Sequence, residues 1–321
     1  MTIADIARRT GVSVSLVSFV LTGRKDVAAE TRQRILDAIR ETGYRPNSHA
    51  RSLATRRAEA MAIAFEVRGY QDAFVLHFLA ALGQRLSEHR QRLVLVSPRS
   101  SQDLLSLALE RSVDAILVMD VKRPDRRVEL LRKHDVPVVL FGQPHPEGGF
   151  AVDVDYAQAA ALVANRLRER GHVRAGLVGG PESYGYIRDR VQAWRTALRA
   201  AGLVVAGRWS TGLSEAAGRS AAMEALARVP RPDALVAVTD ALAIGAEHGA
   251  LELGLRIPED VAVVGFGDIP SAAWAPVPLS TVHVPIEEMG AAAADLLLEA
   301  ARRDPPRAQL FPTQFVNRAS V

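Results

Sequence analysis

The chain contains no cysteine in 321 residues. Disulfide frameworks and thiolate metal sites are excluded, and a reducing cytoplasm is the compartment that fits. No run approaches the ~18 consecutive apolar residues needed to span a bilayer, so no membrane partner is expected. Met1 to Ser13 alternate polar and apolar residues at helical spacing and lack the apolar segment of a secretory signal. Signatures of catalysis are missing as well. Gly179-Gly180-Pro181 is not followed by the Gly-Lys-Ser/Thr of a phosphate loop. Glu247-His248 does not extend to a zinc-binding His-Glu-x-x-His, and no Gly-x-Ser-x-Gly elbow occurs. The eight histidines are scattered. The expectation is a protein that is not an enzyme and needs no metal or cofactor.

What is present is ordinary globular composition, 48% hydrophobic and 24% charged, at a length that suggests two or three domains. The charge is uneven. Residues 1–59 hold eleven Lys/Arg against six Asp/Glu, a net +5, which leaves −1 for the rest of the chain. A basic head on a near-neutral body suits a phosphate-binding module, although a solvated basic face would look the same by charge alone.

Three short helices are expected in the head. Thr2 caps the first, with Asp5 as its capping-box partner, and Gly11 ends it. Ser13 caps the second, whose Val17, Val20 and Leu21 point inward, and Thr22-Gly23 stops it. The third runs from about Glu30 to Thr42, with Ile35, Leu36 and Ile39 as its core stripe and Gly43 as its C-cap. Two helices joined by a short Gly-containing turn form the helix-turn-helix layout. Ser48 to Ala54, after Pro46, falls below the ~12–15 residues at which an isolated helix is even marginal, so partners would have to order it.

From Ala60 onward, short apolar runs alternate with amphipathic stretches. Strands are expected at Ala60–Glu66, Leu93–Val96, Ala115–Val118, Val136–Phe141, Ala175–Val178, Ala234–Val238 and Val261–Gly265. Helices are expected at Ala73–His89, Ala157–Arg170, Arg188–Ala201 and Ala241–Leu253. That alternation predicts parallel sheets covered by helices, in two lobes, the second starting near Asp155.

Two head segments, TIADIARRTGVSVSLVSFVLTGR and ETRQRILDAIRETGYRPNSHARSL, resemble the head and hinge of the LacI/GalR (lactose-repressor/galactose-repressor) regulators. RVQAWRTALRAAGL, IPEDVAVVGFGDIP, PLSTVHVPIEEMG and LFPTQFVNR resemble the same family's body, so the likeness covers essentially the whole chain. It implies an α + α/β protein: an N-terminal helix-turn-helix DNA-binding head (1–45), a hinge helix and linker (46–59), and a two-lobed periplasmic-binding-protein-like α/β effector domain (60–321). The N-lobe would comprise about 60–154 and 283–309, and the C-lobe about 155–282 and 310–321. It further implies a homodimeric repressor on near-palindromic double-stranded operator DNA, controlled by a small-molecule effector, a sugar or related metabolite. No heptad repeat that could join two dimers follows the body, so a dimer rather than a tetramer is expected.

The resemblance also assigns roles. Val14, Ser15 and Phe19 would face base edges from the second helix, with Phe19 packing on the third helix as the alternative. Ser13, Ser18 and Tyr44 would contact phosphates, with charge added by Arg24 and Arg51. Asn47 and Ala50 would face the minor groove, and Leu53 would insert there as a wedge unless it merely covers the body. In the cleft, Arg190 lies four residues before Trp194, where the family places an effector-binding Arg; a surface ion pair with Asp189 is the alternative. Phe74 matches an aromatic near the cleft, and Asp240, Asp268 and Trp274 complete the effector set. Two departures weaken sugar recognition. Gly267 stands where an Asp is usual, and Leu213 stands where an aromatic platform is usual.

Overall fold

The computed structural model describes residues 1–21, 27–44, 57–66, 73–143, 148–210 and 212–321. The chain divides into two compact units, Met1–Ala58 and Glu59–Val321.

In the first unit, α1 (Ile3–Thr10), α2 (Val14–Leu21) and α3 (Ala29–Thr42) enclose a small apolar core. Thr2 and Asp5 form the reciprocal capping box, with the Asp5 carboxylate accepting from the Thr2 amide at 2.8 Å. Gly11 and Gly43 sit in the left-handed region at φ +67° and +61°, which ends α1 and α3 where only glycine does so without cost. Ser13 Oγ accepts from the Leu16 amide at 3.2 Å and starts α2. Ile6, Ala7, Val17, Val20 and Ile35 are the buried center, each larger side chain contributing about 1.5–3 kcal/mol of burial. Leu36 differs from expectation: it is 38% exposed, and Ala38 is buried on α3 instead. Residues 35, 38 and 39 share one helix face, and Leu36 lies about a quarter turn off it. The Thr22-Gly23 stop and the Ser48–Ala54 hinge lie outside the described residues.

The second unit holds two six-stranded sheets. The first has the order β11-β5-β4-β3-β1-β2, with strands β1 (Ala60–Ala64), β2 (Arg92–Val96), β3 (Ala115–Val118), β4 (Val138–Phe141), β5 (Phe150–Val154) and β11 (Ala308–Phe311). All its pairings are parallel. The second has the order β12-β10-β9-β8-β6-β7, with β6 (Arg174–Gly179), β7 (Val204–Ser210), β8 (Ala234–Ala237), β9 (Ala262–Gly267), β10 (Ser280–His283) and β12 (Gln314–Val316). Only β12 runs antiparallel, against β10. The helices are α4 (Ala73–Glu88), α5 (Ser101–Leu109), α6 (Arg126–Lys133), α7 (Tyr156–Glu169), α8 (Gly185–Ala200), α9 (Glu215–Leu226), α10 (Asp240–Glu252) and α11 (Ile286–Arg302).

The seven expected strands are present, with ends shifted by a few residues, and β5, β7, β10, β11 and β12 are additional. The chain passes between the sheets three times: from β5 into α7, from β10 into α11, and from β11 to β12.

The C-lobe packs α9 on α10 at very short range. A Cβ on Gly218 would collide with the Leu242 carbonyl, and one on Gly245 with the Glu215 carbonyl. Buried beside this pair is Glu247 on α10, 0% exposed. One of its oxygens accepts from the Val277 amide at 3.1 Å, and the other has no hydrogen-bond partner. Burial pushes its carboxyl up to about 7. A carboxyl whose folded pKa is raised binds its proton more tightly than the unfolded chain does. Its folded state is therefore favored at low pH and loses that advantage as pH rises from about 4.5 to about 7. Glu247→Gln keeps the acceptor and removes the titration. Its stability advantage over the wild type is expected to grow across that window, to at most about 3 kcal/mol. Urea denaturation of both proteins at several pH values checks this; a pH-independent difference would mean that Glu247 does not titrate with folding.

Candidate functional site

The two sheets present their strand C-terminal ends to a shared cleft of about 280 Å³. Open parallel sheets bind ligands at such ends, where backbone groups and loop side chains converge. Phe65 and Glu66 follow β1, Met119 and Asp120 follow β3, and Phe141 closes β4. From the other lobe come Thr239 after β8, Gly267 at the end of β9, and Leu213 and Ser214 before α9. Thr239 and Ser214 are also N-caps, accepting from the Leu242 and Ala217 amides at 3.3 and 3.2 Å. The close α9–α10 contact therefore fixes two hydroxyl-bearing residues on one wall.

Arg190 is placed by helix periodicity. Ile187, Arg190, Val191, Trp194 and Leu198 form the buried face of α8. A guanidinium in that stripe must lie against the core, and Arg190 is 8% exposed. Its charged carbon sits 3.6 Å from the Phe266 ring center, with Tyr156 at 5.2 Å and Tyr186 at 5.6 Å. It donates from Nη1 to the Val238 carbonyl, and its Nε has no partner. No carboxylate lies within ion-pair distance of it among the described residues. The alternative of a surface pair with Asp189 does not describe the structure. Asp189 instead pairs with Arg123 at 3.2 Å and Arg188 at 3.7 Å.

Behind this cation lies Asp153 on β5, 1% exposed. It accepts from Gln143 Nε2 at 3.0 Å and from the Val154 amide at 2.9 Å. Burial raises its carboxyl to about 6, opposed by a hydrogen bond from Tyr156 and by the Arg190 charge. The Tyr156 hydroxyl, pushed well above its ordinary range by burial, bridges the acid and the base.

Phe74 lines the cleft and stands edge-on to Phe141 at 6.2 Å. The other effector residues expected from sequence lie elsewhere. Asp240 is 1% exposed and accepts from the Ile269 amide at 2.8 Å and from Thr281 Oγ1, beneath the cleft wall. Asp268 is held by Arg318 at 2.6 Å and His283 at 3.0 Å. Trp274 is 88% exposed and does not line the cleft. Asp120, Tyr156, Tyr186, Thr239 and Phe266 were not foreseen, because only the facing of two sheet ends brings them together. Gly267 lines the cleft at φ +133°, a conformation that a side chain would strain, so an acid there would need a different loop.

In the head, Ser13, Val14, Ser15 and Phe19 are exposed, Phe19 at 39% and outside the apolar core. Ser18 is half-buried, and Tyr44 packs against that core. Arg24, Asn47, Ala50, Arg51 and Leu53 lie outside the described residues. Among the described residues no helix is long and apolar enough to cross a membrane.

Asp240→Ala leaves the Ile269 amide and the Thr281 hydroxyl without their acceptor. It is expected to cost on the order of 2–4 kcal/mol of stability. Chemical denaturation reads this directly; a variant as stable as the wild type would show that those two bonds carry no weight.

Known proteins give a matching outline. Residues 2–47 match the bacterial regulatory proteins of the lacI family, and residues 164–321 match the periplasmic binding protein-like domain. The HTH-type transcriptional regulator CelR of Thermobifida fusca is 33% identical, over 93% of this chain and 91% of its own. The HTH-type transcriptional repressor PurR of Erwinia tasmaniensis is 30% identical, over 100% and 96%. Among solved structures, a CelR–cellobiose complex superposes with a TM-score of 0.77 at 30% identity, covering 100% of both chains. The lac repressor dimer bound to operator and the anti-inducer ONPF gives 0.89 at 23% identity, covering 100% of this chain and 98% of that one.

Proposed function

The chain belongs to the lacI family of bacterial regulatory proteins and is a DNA-binding transcription regulator; we propose that it represses a near-palindromic operator and that a small molecule in the interlobe cleft controls that repression. The observation that carries the second half is the cleft itself: a buried guanidinium with no carboxylate within ion-pair distance among the described residues, facing the C-terminal ends of two parallel sheets, in a chain that carries a helix-turn-helix head. The protein works as a cytoplasmic homodimer, as the lac repressor's dimer on operator supports, and has no catalytic role. Residues 1–45 are the DNA-binding head, 46–59 the hinge and 60–321 the effector domain.

In the head, α2 enters the major groove. Val14, Ser15 and Phe19 face base edges, and Ser13, Ser18 and Tyr44 contact phosphates. Arg24 and Arg51 add charge, Asn47 and Ala50 approach the minor groove, and Leu53 wedges a base step there. In the cleft, Phe74 and Arg190 hold the effector. Asp240, Asp268 and Trp274 drop out of the effector set, since their side chains are engaged or directed elsewhere.

Two outcomes follow. Phe19 can pack on a thymine methyl but cannot make a bidentate contact to guanine. Phe19→Arg is expected to shift selected operators toward guanine at one symmetric position per half-site, by roughly 1–3 kcal/mol of discrimination. Binding-site selection on both proteins decides, and identical motifs would remove Phe19 from the bases. Arg190→Ala is expected to abolish the ligand-dependent change in operator affinity in gel-shift titrations and to leave operator binding itself intact. A response at the wild-type ligand concentration would place the effector outside the cleft.

A further inference from the structure

We propose that the loop after β3 and the start of α8 form a latch that holds the two lobes together beside the cleft, and that this latch weights the lobe arrangement on which operator affinity depends; the second clause rests on the reading of the cleft as the effector site. Gly185, the first residue of α8, donates its amide to the Val121 carbonyl at 2.8 Å, and Lys122 and Tyr184 pair as an isolated antiparallel bridge. A Cβ on Gly185 would stand 3.0 Å from that carbonyl, so glycine lets the two backbones come this close. Side chains reinforce the bridge. Glu66, after β1, accepts from Lys122 Nζ through one oxygen and from the Tyr184 hydroxyl through the other, each at 2.7 Å. The Lys122 ammonium lies 5.6 Å from the center of the Tyr184 ring. Arg123 pairs with Asp189 at 3.2 Å, one turn further along α8. Glu66, Val121, Lys122 and Arg123 belong to the N-lobe, and Tyr184, Gly185 and Asp189 to the C-lobe.

Their position gives these contacts leverage. The three crossovers leave from β5, β10 and β11, at one side of each sheet. β3 and β1 stand two and three strands from β5, and β6, which precedes the latch, stands three strands from β10. At ~4.8 Å per strand the latch lies roughly 10–15 Å from the hinge side, where a small rotation about the crossovers parts it. Contacts that exist in one lobe arrangement alone weight that arrangement, as a bound ligand does. The side-chain pairs are partly exposed, so each contributes modestly and the backbone bridge unites them. The Gly185 amide reports on the whole set. The first amides of a helix have no acceptor within it, and this one is bonded to the other lobe.

The test is hydrogen exchange on the full-length protein, resolved to single residues by fragmentation mass spectrometry. The Gly185 amide is expected to exchange at least about tenfold slower than in an unstructured peptide. Y184F, R123E and D189R are each expected to speed it by roughly two- to fivefold, while the Val191 and Leu198 amides deeper in α8 keep their rates. The double variant R123E/D189R restores the pair with its charges exchanged and is expected to slow Gly185 again. Wild-type exchange at the peptide rate, unchanged exchange in all three single variants, or equal acceleration along the whole of α8 overturns the latch. Gel shifts on an operator selected with the wild-type protein, with no small molecule added, test its role in switching. Y184F/R123Q is expected to change operator affinity by at least about threefold. Unchanged affinity alongside accelerated Gly185 exchange overturns that role. Neither arm uses a ligand, so their failure is distinct from failure of the effector reading, which Arg190→Ala tests.

Discussion

The body of this protein is governed by one covalent constraint: the chain crosses between its two sheets three times, after Val154, after His283 and after Phe311. Two parallel sheets so tied face each other at their strand C-terminal ends, and described residues at or just beyond the ends of β1, β3, β4, β8 and β9 line the cleft. The crossovers also restrict how the lobes can differ between states. Rigid sheets joined by three short segments exchange arrangements by small dihedral changes at those segments, which is the hinge type of domain motion. A ligand that touches both walls acts on that equilibrium only through its different contacts in the two arrangements.

Electrostatics inside the cleft follows from burial. Arg190 sits on the Phe266 ring, and Asp153 sits beneath the Tyr156 hydroxyl, so acid and base are linked through a phenol rather than paired directly. The ring face and the Val238 carbonyl offset part of the cost of burying the cation. Asp240 and Glu247 show the opposite use of a carboxylate. One is closed off by Thr281 and the Ile269 amide, and the other by the Val277 amide alone. Of these acids, the first braces the loop after β9, and the second leaves an oxygen unsatisfied where the following loop covers it.

How much of this was legible in the sequence depended on the range of the signal. The head could be read because its punctuation is local: Thr2 with Asp5, Gly11, Ser13 and Gly43 each act within one helical turn. Leu36 misled because Ile35 and Leu36 are equally apolar, and only the tertiary partner decides which faces in. Strands with continuous apolar runs, such as Ala115–Val118, were visible. β10 (Ser280–His283) was not, because Ser280 and Thr281 are polar and are buried only through long-range partners, the Arg318 amide donating to Ser280 Oγ and Thr281 Oγ1 donating to Asp240. Arg190 could be found from its spacing to Trp194. Asp120 and Tyr186 could not, since they meet only across the two lobes. Asp240 was the nearer miss, one residue beyond Thr239, whose hydroxyl-bearing side chain lines the cleft that Asp240 merely supports.

The central claim is that the cleft and the operator-bound state are coupled at equilibrium. Coupling of that kind is reciprocal: whatever factor a cleft ligand imposes on operator affinity, operator must impose on the ligand. The most direct measurement is equilibrium dialysis of a cleft ligand, identified as such by its lost affinity in R190Q, against the protein with and without saturating operator. Two different ligand affinities are expected, with a ratio equal to that of the operator affinities measured with and without ligand. A ligand affinity that is the same in both states would contradict the coupling.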